Sequence, residues 1–176
     1  MPRIVSFLPA ATEIACAIGA GDDLVGRSHE CDYPPRVQAL PVVSRPSLPV
    51  ESLGQGEIDE AVTSQLAGGA SLYEIDEILL GDLEPDIVLT QDLCQVCAPS
   101  GTELTRALQE LPSRPEVLWL TPRTIAGIEQ NILEIGRASG RSHEAEALLA
   151  SNRERIATVK SVVRGLAPRR VTFLEW

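Results

Sequence analysis

Two thiols stand three residues apart in Gln91-Asp92-Leu93-Cys94-Gln95-Val96-Cys97, and a third follows the first histidine in Arg27-Ser28-His29-Glu30-Cys31-Asp32-Tyr33-Pro34-Pro35. Thiolate and neutral imidazole are ligands for zinc and other thiophilic ions. Cys31, Cys94, Cys97 and His29 would together make a Cys3His set for zinc or iron. The same Cys-x-x-Cys spacing suits a dithiol redox couple, and unpaired thiols also pack as small hydrophobes. Cys16, on the apolar side of a helical stretch, reads as core. A second chemistry comes from Arg27, Arg45 and Arg123, whose guanidinium groups could pair with carboxylate or phosphate groups of an anionic ligand. Taken singly, each also reads as an ordinary surface or turn arginine. Aromatic residues are only 3% of the chain, which makes Tyr33 a candidate stacking surface.

His29-Glu30-Cys31-Asp32 contains the residue types of nucleophilic and acid–base catalysis, but neighbouring loop residues do not point the same way. No Gly-x-Ser-x-Gly, phosphate-loop or dinucleotide fingerprint is present. Gly19 and Gly21 follow a helical stretch, where a dinucleotide site needs its glycines before one. The expectation is therefore a binding protein and not an enzyme, with a metal-binding or thiol-redox protein using Cys94 and Cys97 with Cys31 and His29 as the alternative.

The elements that must position these residues alternate. Arg3 to Phe7 predicts a strand, Leu8 to Ile18 a loop and helix, Leu24 to Gly26 a second strand, and Val42-Val43 a third with Ser44-Arg45-Pro46 at its end. Helical spacing returns from Glu57 to Leu66 and again from about Ser71 to Leu83. Pro85-Asp86 then feeds the apolar run Ile87 to Leu89, which reads as a strand buried on both faces. A helix over about 101–111, a strand over 115–120 and a helix over 124–138 follow. This order predicts an α/β three-layer sandwich with a mostly parallel, Rossmann-like sheet. In such a sheet the loops at Pro9-Ala10-Ala11-Thr12, Arg27 to Tyr33, Ser44-Arg45, Asp92 to Cys97 and Arg123 all leave carboxyl ends of strands. They would meet along one edge, so Pro9, Ala10, Thr12, Glu30 and Asp92 join the candidate ligand contacts.

The last helix is longer than a single lobe needs. Ser142 could cap it, and Ala145, Leu148, Leu149, Ile156, Val159, Val163 and Leu166 keep an apolar stripe along about 25 residues, roughly 37 Å. The expected organisation is a ligand-binding lobe at 1–140, a long backbone helix at 141–167, and at 168–176 the first strand of a second lobe. A formal charge of −10 argues against nucleic acid, and no apolar run reaches membrane-span length. A start at Met1-Pro2-Arg3 with no leader points to the cytoplasm; a leader replaced by Met would point to the periplasm or cell surface.

Ile4-Val5-Ser6-Phe7-Leu8-Pro9-Ala10-Ala11-Thr12-Glu13, Leu83-Glu84-Pro85-Asp86-Ile87-Val88-Leu89 and the long helix before Arg170-Val171 resemble the amino-terminal half of substrate-binding proteins of cobalamin and iron-chelate ABC importers. Ser28 to Pro34 and Gln91 to Cys97 are similar to segments of a leaderless branch labelled cobalamin-binding. The resemblance implies two lobes joined by a rigid helix, a corrinoid or metal chelate held between them, and an ABC permease as partner. It implies that His29 could ligate the metal of such a ligand, with Tyr33 stacked on the macrocycle. An acidic residue before the fourth strand docks on the permease in exported receptors. Glu77 lies nearby and also reads as a plain solvated carboxylate.

Overall fold

The computed structural model describes residues 1–49, 52–68, 70–92, 101–112 and 114–174, with backbone alone at 101–103. Along them run β1 (Ile4–Ser6), α1 (Pro9–Ala17), β2 (Leu24–Ser28), β3 (Val42–Pro46), α2 (Gln55–Ala67), β4 (Tyr73–Ile75), α3 (Glu77–Asp82), β5 (Ile87–Thr90), α4 (Gly101–Gln109), β6 (Glu116–Trp119), α5 (Ile125–Ala138) and α6 (Ser142–Val163). The sheet has the order β4-β3-β2-β1-β5-β6. All neighbours are parallel except β4, which closes one edge antiparallel to β3.

Two apolar clusters explain the three layers. Side chains alternate across a strand, so Ile87 and Leu89 of β5 enter one cluster while Val88 enters the other. The first cluster packs Ile4, Leu89 and Leu118 under α1, α5 and the first half of α6, through Ala11, Ala15, Ile132, Ile135 and Leu149. The second packs Val5, Phe7 and Val88 against Leu80 of α3 and Leu104 and Ala107 of α4. The α/β sandwich with a mostly parallel sheet is thus as the alternation predicts. β1 lies between β2 and β5, so the chain winds outward from it in both directions, and the carboxyl ends of β1 and β5 mark the switch point where such sheets hold ligands. The start of this pair is tied by Arg3, whose backbone N–H donates to the Asp86 carboxylate at 2.7 Å and whose Nε donates to the Leu83 carbonyl.

Helices α5 and α6 form an antiparallel hairpin, because Gly136 packs on Ala145, Glu129 pairs with Arg153, and Ile125 shares a groove with Ile156 and Val159. Helix α5 begins just past β6, at the carboxyl edge. The second half of α6 therefore runs back past the start of α5, with Val159 and Lys160 still bordering the groove that Ile125 lines.

Three expectations change. Residues 71–83 are not one helix: Tyr73–Ile75 pair with β3, and Asp76 then caps a new helix by accepting from the Leu79 N–H at 3.0 Å. Ser142 is the first residue of α6 and not its cap; Arg141 holds the cap position with no side-chain bond, and the helix ends at Val163 after 22 residues. Residues 168–174 are exposed and outside any strand.

Candidate functional site

Five parallel strands open toward one edge, where the segments that leave β1, β2 and β3 touch one another and where Asp92 and Arg123 follow the ends of β5 and β6. The segment after β2 is the most elaborately held. Arg27 lies within β2, half-buried, and folds its guanidinium back: Nη1 donates to the carbonyls of Ser28 (3.0 Å) and Cys31 (3.2 Å), and Nη2 to that of Gln38 (3.1 Å). Gln38 Nε2 donates to the Asp32 carbonyl at 2.9 Å. Arg27 is thus engaged with its own loop and is not a free cation at a strand exit.

Cys31 turns inward. Its thiol is fully buried, accepts from Thr12 Oγ1 at 3.1 Å, lies 3.2 Å from Ser28 Oγ and 3.8 Å from the Ser6 carbonyl. The cluster welds the exits of β1 and β2 together and leaves Thr12 no exposed atom. His29 turns the other way, toward β3. Its Nδ1 sits 3.1 Å from the Ser44 carbonyl and 3.4 Å from Ser44 Oγ, its Nε2 lies 3.3 Å from a Glu30 carboxylate oxygen, and its ring is 5.6 Å from that of Tyr73 at 42°. A carbonyl can only accept, so Nδ1 carries the proton, and Nε2, which faces the Glu30 carboxylate, is the ring nitrogen that could coordinate a metal once Glu30 moves aside.

The remaining candidates divide. Pro9 and Ala10 form the first turn of α1 at the switch point, with Ala10 exposed; Pro9 suits that position because the first helical N–H has no partner in any case. Tyr33 is 60% exposed and, with Ala10, Glu13 and Arg36, lines a cavity of about 670 Å3 on the outer side of α1. Arg45 lies inside β3 and pairs with Glu74 of β4 at 2.9 Å. Arg123 is exposed between β6 and α5, with no ion-pair partner among the described residues, and Asp92 is exposed just past β5. Glu77 opens α3 and pairs with Arg106 at 3.0 Å. Cys94 and Cys97 lie outside the described residues. Among the described residues no three His, Cys, Asp or Glu side chains gather as a metal site, and Cys31 and His29 face different neighbours.

Ser44 and Tyr73 orient and flank His29, and sequence reasoning missed both. The signal for Tyr73 was available: Asp76 is a helix-capping residue, so a helix starting after it leaves Tyr73-Glu74-Ile75 as an alternating trio.

No family model and no curated protein matches the sequence. Solved structures do match. The chain aligns with a periplasmic vitamin B12 binding protein of Vibrio cholerae at 23% identity and a TM-score of 0.61, covering 95% of this chain and 52% of that one. A periplasmic heme binding protein of Pseudomonas aeruginosa gives 18% and 0.64, covering 90% and 46%. A possible iron-binding periplasmic solute-binding protein of Staphylococcus epidermidis gives 19% and 0.67, covering 96% and 54%. The chain spans about half the length of each. By their names these neighbours are periplasmic binding proteins, of the kind that the sequence motifs resemble. The chain carries the fold of one half of such a substrate-binding protein.

Proposed function

We propose that this chain is the amino-terminal lobe of a substrate-binding protein of the ABC-importer type, taking a corrinoid or other metal chelate at the carboxyl edge of its sheet. Residues 1–140 are the lobe, α6 is the backbone helix, and the chain after it leads toward a second lobe that faces the same edge. The observation that carries the ligand class is His29: a ring held at Nδ1 by a backbone carbonyl, in a braced loop, with Nε2 as the atom that coordinates when the exposed Glu30 carboxylate beside it gives way. Tyr33 and Ala10 offer the macrocycle apolar and aromatic surface, and Arg123 is the cation best placed for an acidic substituent. The heme and vitamin B12 named for the solved neighbours are compatible with this set. A permease that docks on Glu77 must displace Arg106 from it. A protein-bound ion on Cys31 and His29 has less support, since the thiol is inside the hydroxyl cluster and the imidazole is outside it.

Titration with hemin and with aquocobalamin, followed by absorbance, tests the reading. One of them should give a saturable shift of the metal-centred bands, and His29→Ala should weaken it by at least about tenfold or abolish the shift. Absence of saturable change with either compound would refute the ligand class.

A further inference from the structure

His29 and Glu30 are neighbours in the chain whose side chains also meet. His29 Nδ1 is taken up by the Ser44 carbonyl at 3.1 Å, with Ser44 Oγ 3.4 Å away. Its other nitrogen, Nε2, has Glu30 Oε1 at 3.3 Å. With the proton on Nδ1 both of these atoms carry lone pairs, and two acceptors that close attract one another only through a positive centre that they share. The two side chains differ in freedom. The imidazole is 21% exposed and lies against Tyr73, whereas Glu30 is 60% exposed and its carboxylate makes no other bond among the described residues. The ring is fixed and the carboxylate can swing.

A metal bonded to Nε2 at about 2.1 Å is no farther than about 5.4 Å from the place Oε1 now holds. Even in the dielectric of bulk water, a unit charge at that distance changes an equilibrium by about three- to fourfold. The other charged groups near the ring in the chain and in the sheet are Arg27, Asp32, Arg45 and Glu74. Arg45 and Glu74 pair with each other at 2.9 Å. Arg27, turned to the carbonyls of Ser28, Cys31 and Gln38, and the exposed Asp32 are of opposite sign. These four charges sum to zero, and Glu30 is the one left over, in contact with the ring.

We propose that Glu30 sets the charge of the metal centre that the site accepts, selecting chelates with a cationic metal core over neutral cores of the same shape. The selection rests on the reading of His29 as the ligand of that metal. A cationic core holds the displaced carboxylate close by attraction, whereas a neutral core displaces it with no such return. With Arg123 facing an acidic substituent, the preferred ligand is positive at its centre and acidic at its rim.

Two probe pairs separate core charge from shape. Hemin has a cationic iron(III) core and zinc protoporphyrin a neutral one; aquocobalamin is cationic and cyanocobalamin neutral. Absorbance and emission titrations at one pH and one ionic strength give the Kd of each. In each pair that binds, the preference of the native chain for the cationic member should fall at least about threefold in Glu30→Gln and persist in Glu30→Asp, which keeps the charge. The members of a pair also differ in axial chemistry, so the change in the ratio is the quantity read. A ratio that Glu30→Gln leaves alone overturns the proposal, and so does equal tightening of both members, which would make Glu30 a shutter over Nε2. A fall in Glu30→Asp as large as in Glu30→Gln overturns it too, since charge would not be the cause. If neither pair binds, or His29→Ala binds as the native chain does, the ligand reading fails and the selection with it. Binding that requires His29 with a ratio indifferent to Glu30 removes the selection alone.

Discussion

Arg27 shows how a residue chosen for its charge can act through geometry. Its three donations to the carbonyls of Ser28, Cys31 and Gln38 fix the loop that presents His29 and Tyr33. Arg27→Gln should leave these carbonyls short of partners and cost about 2 kcal/mol in urea unfolding, with faster hydrogen exchange at residues 29–38. An unchanged exchange pattern would show that the loop holds without it. At this scale the sequence told which residue types meet at the edge, but not which are engaged. Arg27, Arg45 and Arg123 read alike as arginines at strand exits. Their separate fates depend on where carbonyls of residues 28–38 and the Glu74 carboxylate come to lie, and residue type does not encode that.

Helices α5 and α6 are held by a bare glycine at one end of their contact and an ion pair further along. Gly136 lets Ala145 close on it, and a methyl group there meets both the Ala145 side chain and the Arg141 carbonyl. Gly136→Ala should therefore destabilise the fold by about 1–3 kcal/mol in denaturant melts, although alanine is intrinsically the better helix former. Glu129 receives both Nε and Nη2 of Arg153, at 3.0 and 2.6 Å, and this hydrogen bonding holds its carboxyl below the usual range against a smaller opposing effect of burial. In the unfolded chain the group titrates near pH 4.3, about the ordinary value for glutamate. The lowered folded value means the pair's contribution is complete above that pH and disappears as pH falls through the folded value. The stability gap between the native chain and Glu129→Gln should be flat above about pH 5 and narrow below it. Helices and central strands were legible because their apolar residues recur at fixed periods. The trio Tyr73–Ile75 was not, since a three-residue edge strand has too few residues to show a period and is defined by pairing with β3.

At the scale of the molecule, β1 and β5 are the innermost strands, buried on both faces, while α6 past Ser151 is exposed on almost every residue. Amide exchange should accordingly be slowest in β1 and β5 and fastest in the last turns of α6. A protected α6 end in the isolated chain would mean that something already covers it. The layer order was readable from the alternation of strands and helices, and the membership of the edge followed from parallel strands. The direction of α6 was not, because an amphipathic stripe states that one side is covered without stating by what. Residues 153–170 carry six cations and one carboxylate, whereas residues 1–152 carry nine cations and 23 carboxylates. This basic end turns the molecule into a dipole: a large negative body with a positive tip. At neutral pH and low salt an anion-exchange surface would hold the protein by its body with the tip facing solvent, and a cation-exchange surface would capture the same protein tip first, despite its net charge of −10.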